Sequence, residues 1–417
     1  MHWLTRLSDY LALTLFLLFA LTTSDVRLTR TAERVHILAS SQAFDLLGWM
    51  TNSAWLKLTH SAIASPRYFT PSAQRETVLE YLQLVEDMQN VEREIRLIYT
   101  DPTQPDPFTA SAELRAELER LYLRQKALAP LSESVLEMQV TIVLDELGLT
   151  VGGQPIPWVL YHVTPLPKNL VVSPREVIRQ ETSYLLQPEM TLEQAIHLED
   201  SVASRLGFST LVVEIGGLAA YPTMIMRTTA LDWLSNTIAH EWIHLYLGQR
   251  PLGMNYDRTP QLRTMNETTA SIAGDEIGQI VMARYYPELA FRYKNAIQLA
   301  ALNPPAALTF DFRAEMYETR VRADELLAEG KIEEAEAYME TRRQLFWDNG
   351  YAIRKLNQAY FAFHGAYADT PGGAAGIDPV GPAVRELRAR SATLTEFLER
   401  IGRMSSFEEL LAALEQH

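Results

Sequence analysis

Apolar residues recur every three or four positions along much of this chain, which is the spacing of one buried helix face. Two long stretches, 75–99 and 112–128, show this spacing, and the proline-rich segment 101–107 between them predicts a loop. The same spacing returns later and predicts helices at 191–206, 312–329 and 332–346. The pattern therefore predicts a largely helical protein.

β-Branched residues cluster in the middle of the chain. Valines among glycines and prolines between residues 149 and 172 predict strands, and the segments 209–215 and 221–226 predict two more. Because proline has no backbone N–H to donate, Pro222 favours an edge position for the last of these strands. We therefore expect an α+β fold that is predominantly helical and has a small mixed sheet.

The stretch 230–247 has the apolar spacing of a mostly buried helix. Gly248, followed by Pro251, predicts the end of this helix. The apolar spacing from Ile272 to Val281 predicts a second helix, with Glu267 in an early turn.

Composition narrows the classes of protein that fit. With 417 residues, 47% of them hydrophobic, the chain is long enough for two or three domains with cores of their own. The net charge of −15, without any run rich in lysine and arginine, argues against nucleic-acid binding. The chain has no cysteine, which excludes a disulfide scaffold and a thiolate metal site.

The N-terminal segment differs from the rest of the chain. Residues 10–24 form an uncharged apolar run, intermediate in length between a signal-peptide core and a full membrane helix. No small-x-small cleavage site follows, so we expect an uncleaved single-pass anchor that tethers the protein to the membrane. We expect the remaining chain to lie outside the cytoplasm, although Arg27, Arg30 and Arg34 leave the orientation ambiguous. A buried helix of a soluble protein is the alternative.

Residues 240–244 read His-Glu-Trp-Ile-His. On a helix, His240 and His244 lie one turn apart and project from the same face, so both imidazoles can reach one metal ion. Glu241 lies beside the first ligand, where its carboxylate can take a proton from a water activated by zinc. The pattern predicts a hydrolytic zinc site. A chance match on a metal-free helix is the alternative.

A catalytic zinc takes three protein ligands and keeps one position open. Glu267 is the best candidate for the third ligand, because the chain after His244 is long enough to leave one helix and return on another. The alternative is a carboxylate favoured near a helix N-terminus by the helix dipole alone.

At these residues the chain resembles the gluzincin metallopeptidases, typified by thermolysin-like enzymes and membrane alanyl aminopeptidases. In that group an HExxH helix is completed by the glutamate of an Asn-Glu pair on the next helix, which corresponds here to Asn266-Glu267. The resemblance covers residues 210–276. It implies that Glu241 activates water and that zinc is held by His240, His244 and Glu267.

The resemblance also implies further parts of such a site. Ser271 stands where thermolysin-like enzymes place an aspartate that supports a zinc histidine, which leaves Asp275 as a possible substitute. Asp275 and Glu276 are equally consistent with a solvated helix face. An edge strand before the HExxH helix binds extended substrate in zincins, and the segment 219–223 is the candidate here. An ordinary hairpin packed under the helix is the alternative.

Peptide hydrolysis needs a donor for the negative charge that develops on the carbonyl oxygen, and gluzincins use tyrosine or histidine. On a helix from Asn357, one face carries Tyr360, His364 and Tyr367. We expect Tyr360 or His364 to be this donor. A core stripe of aromatic residues is the alternative.

These expectations divide the chain into an anchor (1–30), a helical region (31–148), a zincin-like catalytic core (149–308) and a C-terminal helical region (309–417). The predicted function is that of a membrane-anchored zinc metallopeptidase, a hydrolase acting on peptides or proteins. The alternative is a non-catalytic, membrane-tethered helical scaffold with a degenerate or structural metal site.

Overall fold

A computed structural model describes residues 30–61, 66–291, 310–369 and 372–415. The apolar run at 10–24, on which the predicted anchor depends, lies outside the described residues. Within them the protein is predominantly helical with small sheets, which confirms this part of the predicted fold class.

The helices of the described residues are, in chain order, α1 (Thr31–Ala39), α2 (Leu46–Ser61), α3 (Pro71–Thr100), α4 (Pro107–Ala110), α5 (Ala112–Glu146), α6 (Leu192–Leu206), α7 (Leu231–Leu247), α8 (Pro251–Met254), α9 (Pro260–Tyr285), α10 (Phe312–Ala328), α11 (Ile332–Asp348), α12 (Gln358–His364), α13 (Val380–Ala389), α14 (Leu394–Gly402) and α15 (Phe407–Glu415). The strands are β1 (Thr150–Val151), β2 (Gln154–Pro155), β3 (Tyr161–Val163), β4 (Lys168–Pro174), β5 (Thr182–Leu186), β6 (Phe208–Val213), β7 (Gly217–Leu218) and β8 (Thr223–Ile225).

The two longest helices, α3 and α5, pack against each other and form much of the N-terminal region. Helix α5 continues well past the predicted end at residue 128, because Pro130 is accommodated inside it. By length and composition α5 is the one helix of the described residues that could cross a membrane. Half of its most apolar stretch is buried inside the protein, so it is weak evidence for a membrane span.

An antiparallel sheet in the order β5-β4-β6 packs helices on both faces. Successive side chains of a strand point to opposite faces. Leu170 and Val172 of β4 therefore pack with α1 and α6, whereas Val171 faces α12 on the other side. Helix α12 packs on this second face, which places it next to the candidate site.

A second sheet, in the order β3-β8-β7, lies beside α7. The prediction that the strand after Pro222 lies at an edge is wrong, since β8 pairs with β3 on one side and β7 on the other. Pro222 precedes the first residue of β8, so its missing N–H costs no ladder bond. The edge strands of this sheet are β3 and β7, and β7 forms where the sequence predicted only the end of the previous strand.

Helices α7 and α9 approach each other closely at two glycines of α9. A Cβ added at Gly274 would lie 3.0 Å from the backbone nitrogen and the Cβ of His240. A Cβ at Gly278 would lie 2.8 Å from the backbone nitrogen of Asn236. The two small residues, one turn apart, set the separation of the two helices.

The largest hydrophobic cluster surrounds this helix pair. It combines residues of α3 and α5, of α7 and α9, and of the C-terminal helices α13 to α15. The predicted helical regions before residue 149 and after residue 308 therefore both pack on this helix pair. Their boundaries at residues 148 and 308 stay predictions.

Candidate metal centre

Helix α7 presents the two histidines because its opposite side is held in the core. Leu234, Ile238 and Trp242 are buried, and the indole N–H of Trp242 donates to the carbonyl of Pro157 at 2.8 Å. The helix ends at Gly248, as predicted. This anchoring fixes the rotation of α7, so that His240 and His244 face a cleft.

Helix α9 carries Glu267. The helix begins at Pro260, with the Thr259 hydroxyl accepting the N–H of Leu262. Glu267 therefore lies in its third turn and is buried, rather than in an early turn as predicted. The reading of Glu267 as a carboxylate that only favours a helix N-terminus does not fit this position, since the dipole effect falls off within the first turn.

The three predicted ligands converge. The Nε2 atoms of His240 and His244 are 3.0 Å apart, and Oε2 of Glu267 lies 3.7 Å from the first and 3.4 Å from the second. A tetrahedral zinc with bonds of about 2.0–2.2 Å holds its ligand atoms about 3.3–3.6 Å apart. The donor set and its spacing therefore fit one zinc ion without rearrangement of the helices.

The carboxylate of Glu267 is only half satisfied. Its Oε1 accepts a hydrogen bond from the hydroxyl of Tyr256. Its Oε2, which faces the two imidazoles, is buried and has no hydrogen-bond partner among the residues that the structure describes. A buried, unpartnered carboxylate oxygen is costly, and a cation between it and the imidazoles would satisfy it.

The tautomer of His244 also suits a metal. Its Nδ1 lies 2.7 Å from Oδ1 of Asn266 and donates to it, which leaves Nε2 as the nitrogen that faces Glu267 and would bind a metal in place of a proton. Asp275, the possible supporting group suggested by the resemblance, accepts instead from the side chain of Asn236 at 2.7 Å. The supporting partner is thus the asparagine immediately before Glu267.

Electrostatics at the site favour a cation. Burial alone would raise the pKa of Glu267, but the positive charge of His244, supported by that of His240, holds that pKa well below its usual range. Burial alone would lower the pKa of His244, but the charge of Glu267 raises it to about 9. The same field that holds a proton on His244 attracts a metal ion.

Glu241, the predicted base, is buried beside the histidines. Its carboxylate lies against β7, so closely that a Cβ added at Gly217 would be 2.4 Å from Oε1. Burial raises the pKa of the Glu241 carboxyl, against the pull of the two histidines. A raised pKa brings a carboxylate closer to the range in which it can both accept and return a proton.

The histidines and both glutamates line a cleft of about 390 Å³. Gly217 to Ala219 form one wall of it. Because Met226 donates to the carbonyl of Gly216, the alternation of the antiparallel ladder turns the N–H and C=O of Gly217 away from β8. The backbone that could pair with an extended peptide is therefore at 217–219, whereas most of the predicted segment 219–223 connects β7 to the central strand.

The structure does not bring Tyr360 and His364 to this cleft. Helix α12 ends at His364, and its Ala359–Phe363 face is buried on the sheet, with Tyr360 packed beside the same cluster. The rings of Tyr360 and His364 contact each other at a tilt of 44°, with centroids 4.3 Å apart. Tyr367, which follows the helix end and so leaves their shared face, lines the cleft together with Phe363.

Three residues of the cleft could not be predicted from the sequence alone. Tyr256 lies in an irregular segment before α9, and Arg263 reads as an ordinary charged helix residue. The helical spacing predicts Tyr367 on one face with Tyr360 and His364, which is wrong because the helix ends at His364. The negative charge of Glu267 raises the pKa of Tyr367 well above its usual range, which keeps its hydroxyl protonated.

No protein-family model matches this chain, and no curated protein and no solved structure matches it.

Proposed function

We propose that this chain is a zinc-dependent metallopeptidase whose gluzincin-like core is formed by α7, α9 and the β3-β8-β7 sheet. The observation that carries the proposal is the convergence of two imidazoles on a buried carboxylate oxygen for which the described part of the chain supplies no hydrogen-bond partner. The proposed zinc ligands are His240, His244 and Glu267. A cysteine-free set of two histidines and one glutamate is typical of hydrolytic zinc sites.

When bound, zinc would polarise the scissile carbonyl and lower the pKa of a water molecule. Glu241 accepts the proton of the attacking water and delivers it to the leaving amine. The outward N–H and C=O of Gly217 align an extended peptide by strand addition. The hydroxyl of Tyr367 donates to the carbonyl oxygen as its negative charge develops.

We propose further that the segment before residue 30 anchors the enzyme in a membrane, with its catalytic part outside the cytoplasm. Fractionation of the full chain and of a variant lacking residues 1–30 tests this. The full chain is expected with the membranes and the shortened one in the soluble fraction. An unchanged distribution would contradict the anchor.

The ligand set is tested by elemental analysis of the purified protein. We expect one zinc per chain, retained in Glu241→Gln and lost in Glu267→Ala. Glu276→Ala provides the matched control, since this residue lies on the same helix and pairs with Arg388 at 2.7 Å, away from the cleft. Zinc retained in Glu267→Ala would move the third ligand elsewhere.

The activity is tested by cleavage of a peptide library with and without a chelator. The wild type is expected to cleave and Glu241→Gln to be inactive, while Asp232→Asn in the first turn of the same helix stays active. A protein that binds zinc stoichiometrically yet cleaves nothing would support the scaffold with a structural metal site.

A further inference from the structure

A buried arginine lies beside the metal ligands. Arg263 is one helical turn before Glu267 on α9 and only 7% exposed. It lines the metal cleft and also an adjoining cavity of about 440 Å³. Its guanidinium therefore lies where the two cavities meet.

The hydrogen bonds of Arg263 leave part of the guanidinium unused. Nε donates to the hydroxyl of Tyr256 at 3.3 Å, and Nη1 donates to the carbonyl of Ala362 at 3.3 Å. Within the described part of the chain, no carboxylate forms an ion pair with Arg263 and Nη2 has no acceptor. A guanidinium has five N–H donors and keeps its charge, so a buried one without a counterion is costly.

Other charged groups of the adjoining cavity differ from Arg263. Asp257 lines both cavities and is exposed, but it makes no ion pair with Arg263 within the described residues. Two further arginines of the cavity already have carboxylate partners: Arg179 pairs with Glu181 at 3.0 Å and Arg320 with Asp324 at 2.7 Å. Another arginine of the cavity, Arg258, is exposed and therefore solvated. Among the described residues Arg263 is thus the buried cation of this cavity that no carboxylate contacts directly, since the charge of Glu267 reaches it only through the hydroxyl of Tyr256.

The distance from Arg263 to the metal ligands determines which residue of a bound peptide it can contact. The Tyr256 hydroxyl bridges Nε of Arg263 and Oε1 of Glu267, so the guanidinium lies two hydrogen bonds, about 6 Å, from a metal ligand. An extended peptide advances about 3.3 Å per residue. A group bound by Arg263 therefore belongs to a residue one or two positions from the scissile bond.

We propose that Arg263 binds a carboxylate of the peptide substrate and makes the enzyme selective for acidic peptides. This inference rests on the proposed peptidase function. The carboxylate is either an acidic side chain or the C-terminus of the substrate, because both present the same planar pair of oxygens to a guanidinium.

Matched peptides distinguish these sources. One pair differs by Glu or Gln within two residues of the scissile bond, and another ends in a free carboxylate or an amide. For one of these two pairs we expect the kcat/KM of the wild type to be roughly 10- to 100-fold higher for the peptide with the carboxylate. The pair that shows this preference identifies the source of the carboxylate. This preference is expected to disappear in Arg263→Gln and to fall in Arg263→Lys, which keeps the charge but not the paired donors. If neither pair shows a preference in the wild type, the inference is overturned.

Arg179→Gln is the control, because it removes a paired arginine from the same cavity. Its acid preference is expected to stay within about twofold of the wild type, since the Arg179 side chain is half exposed and paired. An equal loss in Arg179→Gln and Arg263→Gln would assign the preference to the general field of the cavity, against our proposal. Circular dichroism verifies folding, and Arg263→Lys serves if Arg263→Gln does not fold.

Binding separates this inference from the proposed function. Fluorescence anisotropy measures the same labelled peptides on Glu241→Gln protein, metal-loaded and after chelation, with and without Arg263→Gln. Acid-selective binding that survives chelation and requires Arg263 would support the inference even if no peptide is cleaved. Cleavage without acid-selective binding would refute the inference and leave the peptidase proposal intact.

Discussion

Replacing Gly217 with alanine is expected to inactivate the proposed enzyme without unfolding it. A Cβ at this position would lie 2.4 Å from Oε1, 2.9 Å from Cδ and 3.0 Å from Cγ of Glu241. The backbone of Gly217 itself tolerates alanine, since it is not among the glycines with positive φ. The perturbation therefore falls on the side chain of the base and not on the strand.

The size of the effect follows from these distances. Ordinary van der Waals contact begins at 3.4 Å, so the Glu241 carboxylate must move by about 1 Å. A misplacement of about 1 Å at a reacting group costs about 100-fold in rate, or about 2.7 kcal/mol of transition-state stabilisation. The free energy of unfolding should stay within about 1 kcal/mol of the wild type, because glycine-to-alanine exchange also restricts the unfolded chain.

The assay combines kcat on a peptide cleaved by the wild type, zinc content and urea denaturation. Gly216→Ala is the control, since the added Cβ meets the ring of Trp233 at 2.9 Å and not the base. We expect Gly216→Ala to keep kcat within a few-fold of the wild type. Wild-type kcat in Gly217→Ala would show that Glu241 is not held against β7 as the base. Loss of zinc would contradict the expectation that the perturbation is confined to Glu241.

Two further predictions concern helix packing and stability. Gly274→Ala should weaken zinc binding at least tenfold in a chelator competition. The added methyl would lie 3.0 Å from the backbone of His240 and would push apart the two helices that carry the ligands. Unchanged zinc affinity would contradict the role of Gly274 in setting the helix separation. Glu133→Gln should lower the free energy of unfolding by about 3 kcal/mol at pH 7, whereas Glu137→Gln should cost about 1 kcal/mol or less. Burial opposes ionisation of both, but Lys57 and His162 lower the pKa of Glu133 to about 2, while the pKa of Glu137 stays raised. A carboxyl whose pKa is lower in the folded than in the unfolded state stabilises the fold at pH values above 4.5, the unfolded pKa. The contribution of Glu133 to the free energy of unfolding should therefore be lost as the pH falls from 4.5 towards 2. Equal effects of both variants in urea titrations would refute the different roles of Glu133 and Glu137.

Much of the helical architecture could be predicted from the sequence. The helices predicted at 191–206, 230–247, 312–329 and 332–346 have nearly the predicted bounds, because apolar spacing, caps and glycine stops are local signals. The pairing of His240 and His244 is equally local, since residues four apart share one helix face wherever the helix packs. Glu267 was found by its motif, and its alignment with the histidines depends on the tertiary structure.

Other features could not be predicted because they depend on contacts between distant segments. Pro222 precedes a central strand because Tyr161 of the distant strand β3 pairs with Thr223 of β8, and no local pattern of residues predicts such a pairing. Tyr367 enters the cleft because α12 ends at His364, and a helix continued by three residues would have placed it beside Tyr360.

The sequence by itself determined which residue types stand one helical turn apart, and so the two imidazoles and the adjacent base. The tertiary structure decided which groups complete the site: the buried oxygen of Glu267 between the imidazoles, the edge strand at Gly217 and the buried guanidinium of Arg263, which no carboxylate of the described residues contacts directly. The physical reason is range. Helical periodicity is set by hydrogen bonds between neighbouring turns, whereas a buried charge acquires or lacks a partner only when separate helices and strands pack together.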